Sequence, residues 1–200
     1  DDHKTKGLAD PLQILDEVSK TCFMPLTWGG RIRSVDDMRA RISRGADKIT
    51  LNTGAVENPR LITDGAAVFG NQAMVVSIDV RTHADGKREV FPHGGRQSTG
   101  LDPVKWAQEV EKIGAGEILL QSINRDGTGE GYDLELIGEV AHAVRIPVIA
   151  CSGVGRFEDY AKAIKAGAAA AAAANIWHFK ELTDRQGKRA MARAGIHVRS

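Results

Sequence analysis

The chain repeats itself, and the repeat limits its folds more tightly than any other feature. Pro25 and Pro147 lie 122 residues apart, and the same ungapped offset sets Asp37 on Asp159, Ile42 on Ile164, Gly45 on Gly167 and Ala46 on Ala168. Leu26 meets Val148, Val35 meets Phe157, and Asp36 meets Glu158. Each copy runs apolar segment, glycine loop, amphipathic helix, glycine, apolar segment, so the unit at 25–53 recurs at 147–175. Aligned units with the same role at each position point to an internal duplication.

Between and around the copies, short apolar runs alternate with helical patterns. The runs are Phe23–Trp28, Lys48–Leu51, Ala73–Asp79, Glu117–Gln121 and Pro147–Cys151. Short, continuously apolar runs are expected of parallel strands buried on both faces. Helices are punctuated by Ser34, Asn58-Pro59, Asp102-Pro103 and Asp133 at their starts, and by Gly45, Gly70, Gly114 and Gly167 at their ends. Pro11–Lys20 reads as the first helix; Ala190, Met191 and Ala194 fall in the last. Ala168–Ala174 is seven alanines, for which intrinsic propensity says helix and the alternation says strand; we follow the alternation. Arg81–Gly100 reads as a hairpin-like insertion with turn signals at Ala84-Asp85-Gly86 and His93-Gly94-Gly95.

Alternating β and α units leave a doubly wound sheet or a (βα)8 barrel. No GxGxxG opens the chain, and a duplication of four βα units is half a barrel. The expected fold is therefore α/β, of the (βα)8 TIM-barrel family, as one partial domain over residues 1–200. The offset carries Asn124 onto Asp2 and carries Asp79 about 43 residues before Asp1. About six of eight units are expected here, with two open sheet edges that invite a second copy to cover them.

Composition narrows the function. Lys plus Arg is 27 and Asp plus Glu is 26, which argues against nucleic-acid binding by bulk charge. No run of about 18 apolar residues is present, so no membrane span is expected. The two cysteines, Cys22 and Cys151, form no CxxC and read as reduced cytosolic thiols. The histidines lack metal-ligand spacing, so no metal or cofactor is expected.

Barrel chemistry sits at the C-terminal strand ends. Gly29-Gly30 follows one strand, and Ser152-Gly153-Val154-Gly155 follows its repeat. Both open helices and offer N–H groups to an anion. The next strands end in Asn52-Thr53 and Ala174-Asn175. Two repeat-related anion sites imply a long substrate with a phosphate at each end. As single loops they would read as tight turns. Asp79 ends the Ser77-Ile78-Asp79 strand and is the candidate acid or base, with a helix cap or a partner for Arg81 as the bland reading. Asp126 and Gly127, in Arg125-Asp-Gly-Thr-Gly129, add to the second anion site. Lys48 and Glu117 begin strands and belong at the opposite mouth. Cys151 reads as a packed thiol rather than a nucleophile.

These residues match a known family. Gly45-Ala-Asp-Lys-Ile-Thr-Leu-Asn-Thr-Gly-Ala-Val-Glu-Asn-Pro59, Gly114-Ala-Gly-Glu-Ile-Leu-Leu120, Arg125-Asp-Gly-Thr128 with Gly131-Tyr-Asp133, Pro147-Val-Ile-Ala150 and Ala194-Gly-Ile-His-Val-Arg199 resemble the cyclase subunit of imidazole glycerol phosphate synthase. The resemblance covers essentially the whole chain. It implies a cytoplasmic lyase of histidine biosynthesis that takes ammonia from a glutaminase subunit docked at the N-terminal face. Its substrate is a bis-phosphorylated ribulosyl aminoimidazole carboxamide ribotide. The products are imidazole glycerol phosphate and an aminoimidazole carboxamide ribotide. By resemblance, Asp79 matches one of two acid–base aspartates, and the other belongs to the absent first strand. Asn52 and Thr53 match one phosphate site, beside Gly30, and Gly127, Gly153, Ala174 and Asn175 match the other, beside Asp126. Lys48 and Glu117 match the charged ring where ammonia enters.

Four residues depart from the pattern. Arg31 stands where the family has a third glycine, Asn124 where it usually has Asp, and Cys151-Ser152 in the second phosphate loop. Cys22-Phe-Met-Pro25 and Val148-Ile-Ala-Cys151 resemble a paralogue group that works with an amidotransferase on surface sugars. The alternatives are that paralogue activity, or a barrel fragment that self-associates without catalysing.

Overall fold

The computed structural model describes residues 10–174, 176 and 184–198. Its elements alternate as the repeat requires. They are α1 (Pro11–Thr21), β1 (Thr27–Gly29), α2 (Val35–Ile42), β2 (Lys48–Leu51), α3 (Thr53–Glu57), α4 (Arg60–Phe69), β3 (Met74–Thr82) and β4 (Arg88–Val90). There follow a helical turn α5 (Pro92–Gly95), α6 (Pro103–Lys112), β5 (Glu117–Ser122), α7 (Leu134–Ala143), β6 (Val148–Cys151), α8 (Phe157–Lys165), β7 (Ala170–Ala171) and α9 (Asp184–Arg193).

Six strands pair in parallel in the order β1-β2-β3-β5-β6-β7, and β4 adds antiparallel to β3. This is the wall of a partial (βα)8 barrel. Among the described residues, β1 pairs only with β2 and β7 only with β6.

The helices start and stop for local reasons. Ser34 Oγ accepts from the Asp37 N–H at 3.1 Å, and Asp102 and Asp133 cap α6 and α7 through the Lys105 and Leu136 N–H groups. Gly45, Gly70, Gly114 and Gly167, the four expected stops, all have positive φ, where a side chain would cost energy.

The apolar core lies between the sheet and the helices. Ile49, Leu51, Met74, Val76, Ile78, Ile118 and Leu120 point outward and pack against Met38, Leu61, Ile62, Ala107, Val110, Leu136 and Val140. The other face carries Lys48, Thr50, Ser77, Asp79, Glu117, Leu119 and Gln121. Burial accordingly alternates along β2, β5 and β6, and the expectation of strands buried on both faces is corrected there; only β3 is continuously buried, from Met74 to Ile78.

Other boundaries also move. The run Phe23–Trp28 forms a strand only from Thr27, and Phe23 and Met24 are exposed. Asn58-Pro59 does not start the next helix as expected: Asn58 ends the unforeseen α3, and helical residues resume at Arg60. Of the seven alanines, only Ala170–Ala171 pair as a strand, against Ile149 and Ala150 of β6, and the flanking Ala169 and Ala172 N–H groups donate to the Val148 and Ala150 carbonyls at 2.8 Å each. Propensity gives way to the sheet over two residues only.

The insertion is a hairpin, held by two charged hubs. Arg88, with a largely buried side chain, reaches Glu135 and Glu139 of α7 at 2.6 Å each and Asp133 at 3.6 Å. Glu89 is buried and accepts from Ser98 Oγ, from the Thr99 and Gly100 N–H groups at 2.8 and 2.6 Å, and pairs with His83 Nε2 at 3.0 Å. Ser98 and Gly100 foremost hold its carboxyl down to about 2 from an ordinary 4.5. A lowered folded pKa stabilises the fold above the unfolded value and loses that contribution as pH falls. Replacing Glu89 with Gln should lower Tm by a constant amount above pH 4.5, and the gap to the original chain should close toward about pH 2. A Tm gap that widens with acidification would contradict this.

Candidate active site

Parallel pairing lines up the inner-face side chains in rows across the sheet. Asp79 of β3 registers with Gln121 of β5, which registers with Cys151 of β6. The row below runs Ser77, Leu119, Ile149. Side chains two residues apart on a strand share a face, so Ser77 and Asp79 stand one above the other. Gln121 Nε2 donates to Asp79 Oδ1 at 2.8 Å and to Ser77 Oγ at 3.0 Å, and Ser77 Oγ donates to Asp79 Oδ1 at 3.2 Å.

Burial pushes the Asp79 carboxyl above its usual range, while Gln121, Ser77 and Asn52 pull it back, and the charge of Asp126 adds to the rise. The bland reading of Asp79 as a partner of Arg81 does not hold. Arg81 turns away, donating to the Gly95 carbonyl at 2.7 Å and lying 4.5 Å over the Phe91 ring. A half-buried carboxylate with a raised pKa and fixed amide partners is suited to move a proton.

Two cavities open at the C-terminal strand ends. The first, about 840 Å³, is lined by Gly30, Arg31, Asn52 and Thr53 from the first repeat unit, and by Ser77 and Gln121. Arg33, Glu57, His93 and Arg96 complete its charged lining. The second, about 290 Å³, is lined by Asp126, Gly127, Cys151, Ser152, Gly153 and Ala174. Each repeat unit therefore builds one cavity. Asp79 relates to both: Asn52 of the first bonds it, and Asp126 of the second acts on its charge. Asn175 lies outside the described residues.

Three non-glycine residues have positive φ among the described residues: Arg31 at 54°, His93 at 55° and Ser152 at 80°. All three line these cavities. Left-handed backbone at such residues costs roughly 1–2 kcal/mol each, and strain of this kind concentrates at ligand sites.

The hairpin closes one side of the first cavity. The His93 N–H donates to Thr53 Oγ1 at 2.9 Å, and His93 Nε2 stands 3.0 Å from Glu57 Oε1. Gln121, His93, Arg33 and Arg96 are absent from the sequence expectations. Gln121 was within reach, because the alternation along its strand sets it on the face of Asp79. The docking of His93 had no local signal. Asn124, in place of the usual Asp, clamps β3: its Oδ1 accepts from the Thr82 N–H at 2.8 Å and its Nδ2 donates to the Thr82 carbonyl at 3.0 Å. A carboxylate could make only the first of these bonds.

Cys151 sits beside the second cavity with its thiol pushed up by burial, which disfavours the thiolate a nucleophile needs. Cys22 and Cys151 are both free thiols. No group of three or more metal-ligating side chains occurs among the described residues. No helix among them is long and apolar enough to cross a membrane. At the opposite mouth, Lys48 Nζ donates to Glu117 Oε1, joining β2 and β5 across the start of β3.

The second cavity depends on two loops touching. The Gly131 N–H donates to the Gly153 carbonyl at 2.7 Å. Gly153 has φ +91°, and a Cβ there would run into the Gly131 carbonyl and Arg125 Cβ. Replacing Gly153 with Ala should cost about 2–4 kcal/mol from overpacking and strain. Urea denaturation checks this, and an unchanged midpoint would contradict it.

Comparison with known proteins agrees with this geometry. The family model for histidine biosynthesis proteins matches residues 4–183. The imidazole glycerol phosphate synthase subunit HisF of Alkaliphilus metalliredigens (strain QYMF) is 48% identical over 189 residues, covering 94% of this chain and 75% of the relative. With a partial barrel wall, two cavities at its C-terminal strand ends and a half-buried carboxylate on its inner face, the chain belongs to the histidine biosynthesis protein family.

Proposed function

We propose that the chain is the cyclase subunit of an imidazole glycerol phosphate synthase. The carrying observation is Asp79, held by Gln121 and Ser77 between two cavities built from the two repeat units. A doubly phosphorylated substrate places one phosphate at Gly30, Asn52 and Thr53. It places the other at Asp126, Gly127, Gly153, Ala174 and Asn175. Backbone N–H groups at the loop glycines hold the phosphates, and Asp79 moves a proton on the central part of the substrate. The reaction joins ammonia to the bis-phosphorylated ribulosyl aminoimidazole carboxamide ribotide, closes the imidazole ring and releases the aminoimidazole carboxamide ribotide. No metal or cofactor is invoked.

Ammonia arrives from a glutaminase subunit at the N-terminal mouth, where Lys48 and Glu117 pair on the inner face. That pair lies below the Ser77 row and on the same face as Asp79, which supports a path through the sheet's concave side.

In a protein containing this sequence, Asp79→Asn should lower ammonia-dependent turnover by about 10²–10⁴. Affinity for the bis-phosphate should be kept or somewhat raised, because the substitution removes a negative charge that both phosphates repel. Turnover that survives the substitution would remove Asp79 from the chemistry. Loss of binding with it would make Asp79 a structural group.

A further inference from the structure

His93 reaches the first cavity from the hairpin and grips one face of α3 at two points. Its backbone N–H donates to Thr53 Oγ1 at 2.9 Å, and its Nε2 stands 3.0 Å from Glu57 Oε1. Thr53 and Glu57 open and close the five-residue α3, so they are four apart and share a face. All three residues line the cavity.

The grip is made against the preference of the backbone. His93 holds φ at 55° and ψ at 42°, and Gly94 after it holds φ at 65°. A residue with a Cβ is strained there, and such strain persists only where the surrounding contacts over-determine it. Here they do, on both sides of His93. The Phe91 N–H donates to the Asp79 carbonyl at 2.8 Å, and Arg81 Nη2 donates to the Gly95 carbonyl at 2.7 Å. The segment is thus pinned to β3 at each end, with His93 presented between the pins.

The donor and acceptor count then fixes the Thr53 hydroxyl. A threonine hydroxyl has one proton to give and two lone pairs to receive. The His93 N–H takes one lone pair, and among the described residues the hydroxyl donates to no acceptor. Its proton is left for the cavity that Thr53 lines. Glu57 would repel an anion there, and the imidazole engages one of its oxygens.

We propose that His93 is a positioning residue of the first anion site. Its backbone N–H holds the Thr53 hydroxyl with the proton turned toward a phosphate oxygen, and its imidazole on Glu57 keeps that N–H in place. A phosphate accepting from Thr53 polarises the hydroxyl and strengthens the bond it receives from His93. Phosphate and the docked hairpin therefore stabilise each other, by the same factor in both directions. This rests on reading the first cavity as a phosphate site.

The test is a titration of the chain with inorganic phosphate, read by amide NMR. Shifts at Gly30 and Thr53 report the cavity, and hydrogen exchange at the His93 amide reports the docking. Exchange at His93 should slow about threefold or more as phosphate saturates, with the midpoint seen at Gly30 and Thr53. Thr53→Val should speed that exchange, abolish its response to phosphate and raise the midpoint about tenfold. His93→Gly keeps the N–H and suits the left-handed backbone but drops the imidazole, so the midpoint should rise about threefold. In the Thr53→Val background the same change should leave the midpoint where it is, because His93 acts through Thr53.

A His93 that only shaped the hairpin would raise the midpoint equally in both backgrounds, and that result would overturn the proposal. So would exchange at His93 that ignores phosphate while Gly30 and Thr53 shift, and the phosphate reading would then survive. No shift at Gly30 or Thr53 would remove the phosphate reading and this proposal together.

Discussion

The double pairing of β3 is the constraint on which the rest depends. It bonds β2 along residues 74–76 through partners Ile49 to Leu51, and β5 from Val75 to Val80. That register decides which side chains face inward, because a slip of one residue would turn Ser77 and Asp79 into the helix-packed core. It also sets Gln121 beside Asp79 and lets Lys48 meet Glu117. The core thus determines the site indirectly. Ile78 and Val80 are fully buried on the outer face, and Asp79 between them can only point the other way.

Beyond the strands, β3 continues to Thr82, pairs with β4 and is clamped by Asn124. This extension carries the hairpin to the first cavity. The buried Glu89 gathers residues 98–100, Arg88 ties the hairpin to α7, and His93 docks on Thr53. The hairpin is therefore part of the cavity wall and is held from both ends. The insertion contributes His93 and Arg96 to the lining of the first cavity.

Much of this was legible in the sequence. The 122-residue offset gave the duplicated loops, and alternation gave the strands that pair. Capping by Ser34, Asp102 and Asp133 appears where side-chain chemistry demanded it. What failed was local. Phe23 and Met24 are apolar but exposed, because the strand partner at Lys48 begins only opposite Thr27. The alanine run could not reveal a two-residue strand, since its pairing is set by β6. Gln121 could have been placed on the face of Asp79 by strand alternation, whereas the role of His93 arises from a contact across 40 residues of chain and not from neighbours. Arg31 was visible as a departure, but its left-handed backbone and shared cavity with Arg33 and Arg96 belong to the fold.

If the two cavities take the substrate's phosphates as proposed, the half-buried Asp79 carboxylate should feel both. The Asp79 carboxyl, already raised from 3.8 chiefly by burial, can be titrated by carboxyl ¹³C NMR with and without a bis-phosphate analogue of the substrate. Two bound phosphates should raise its midpoint further, by like-charge repulsion, and a monophosphate should raise it less. A midpoint at the ordinary carboxylate value, unmoved by the bis-phosphate, would show that Asp79 does not stand between the substrate's two ends.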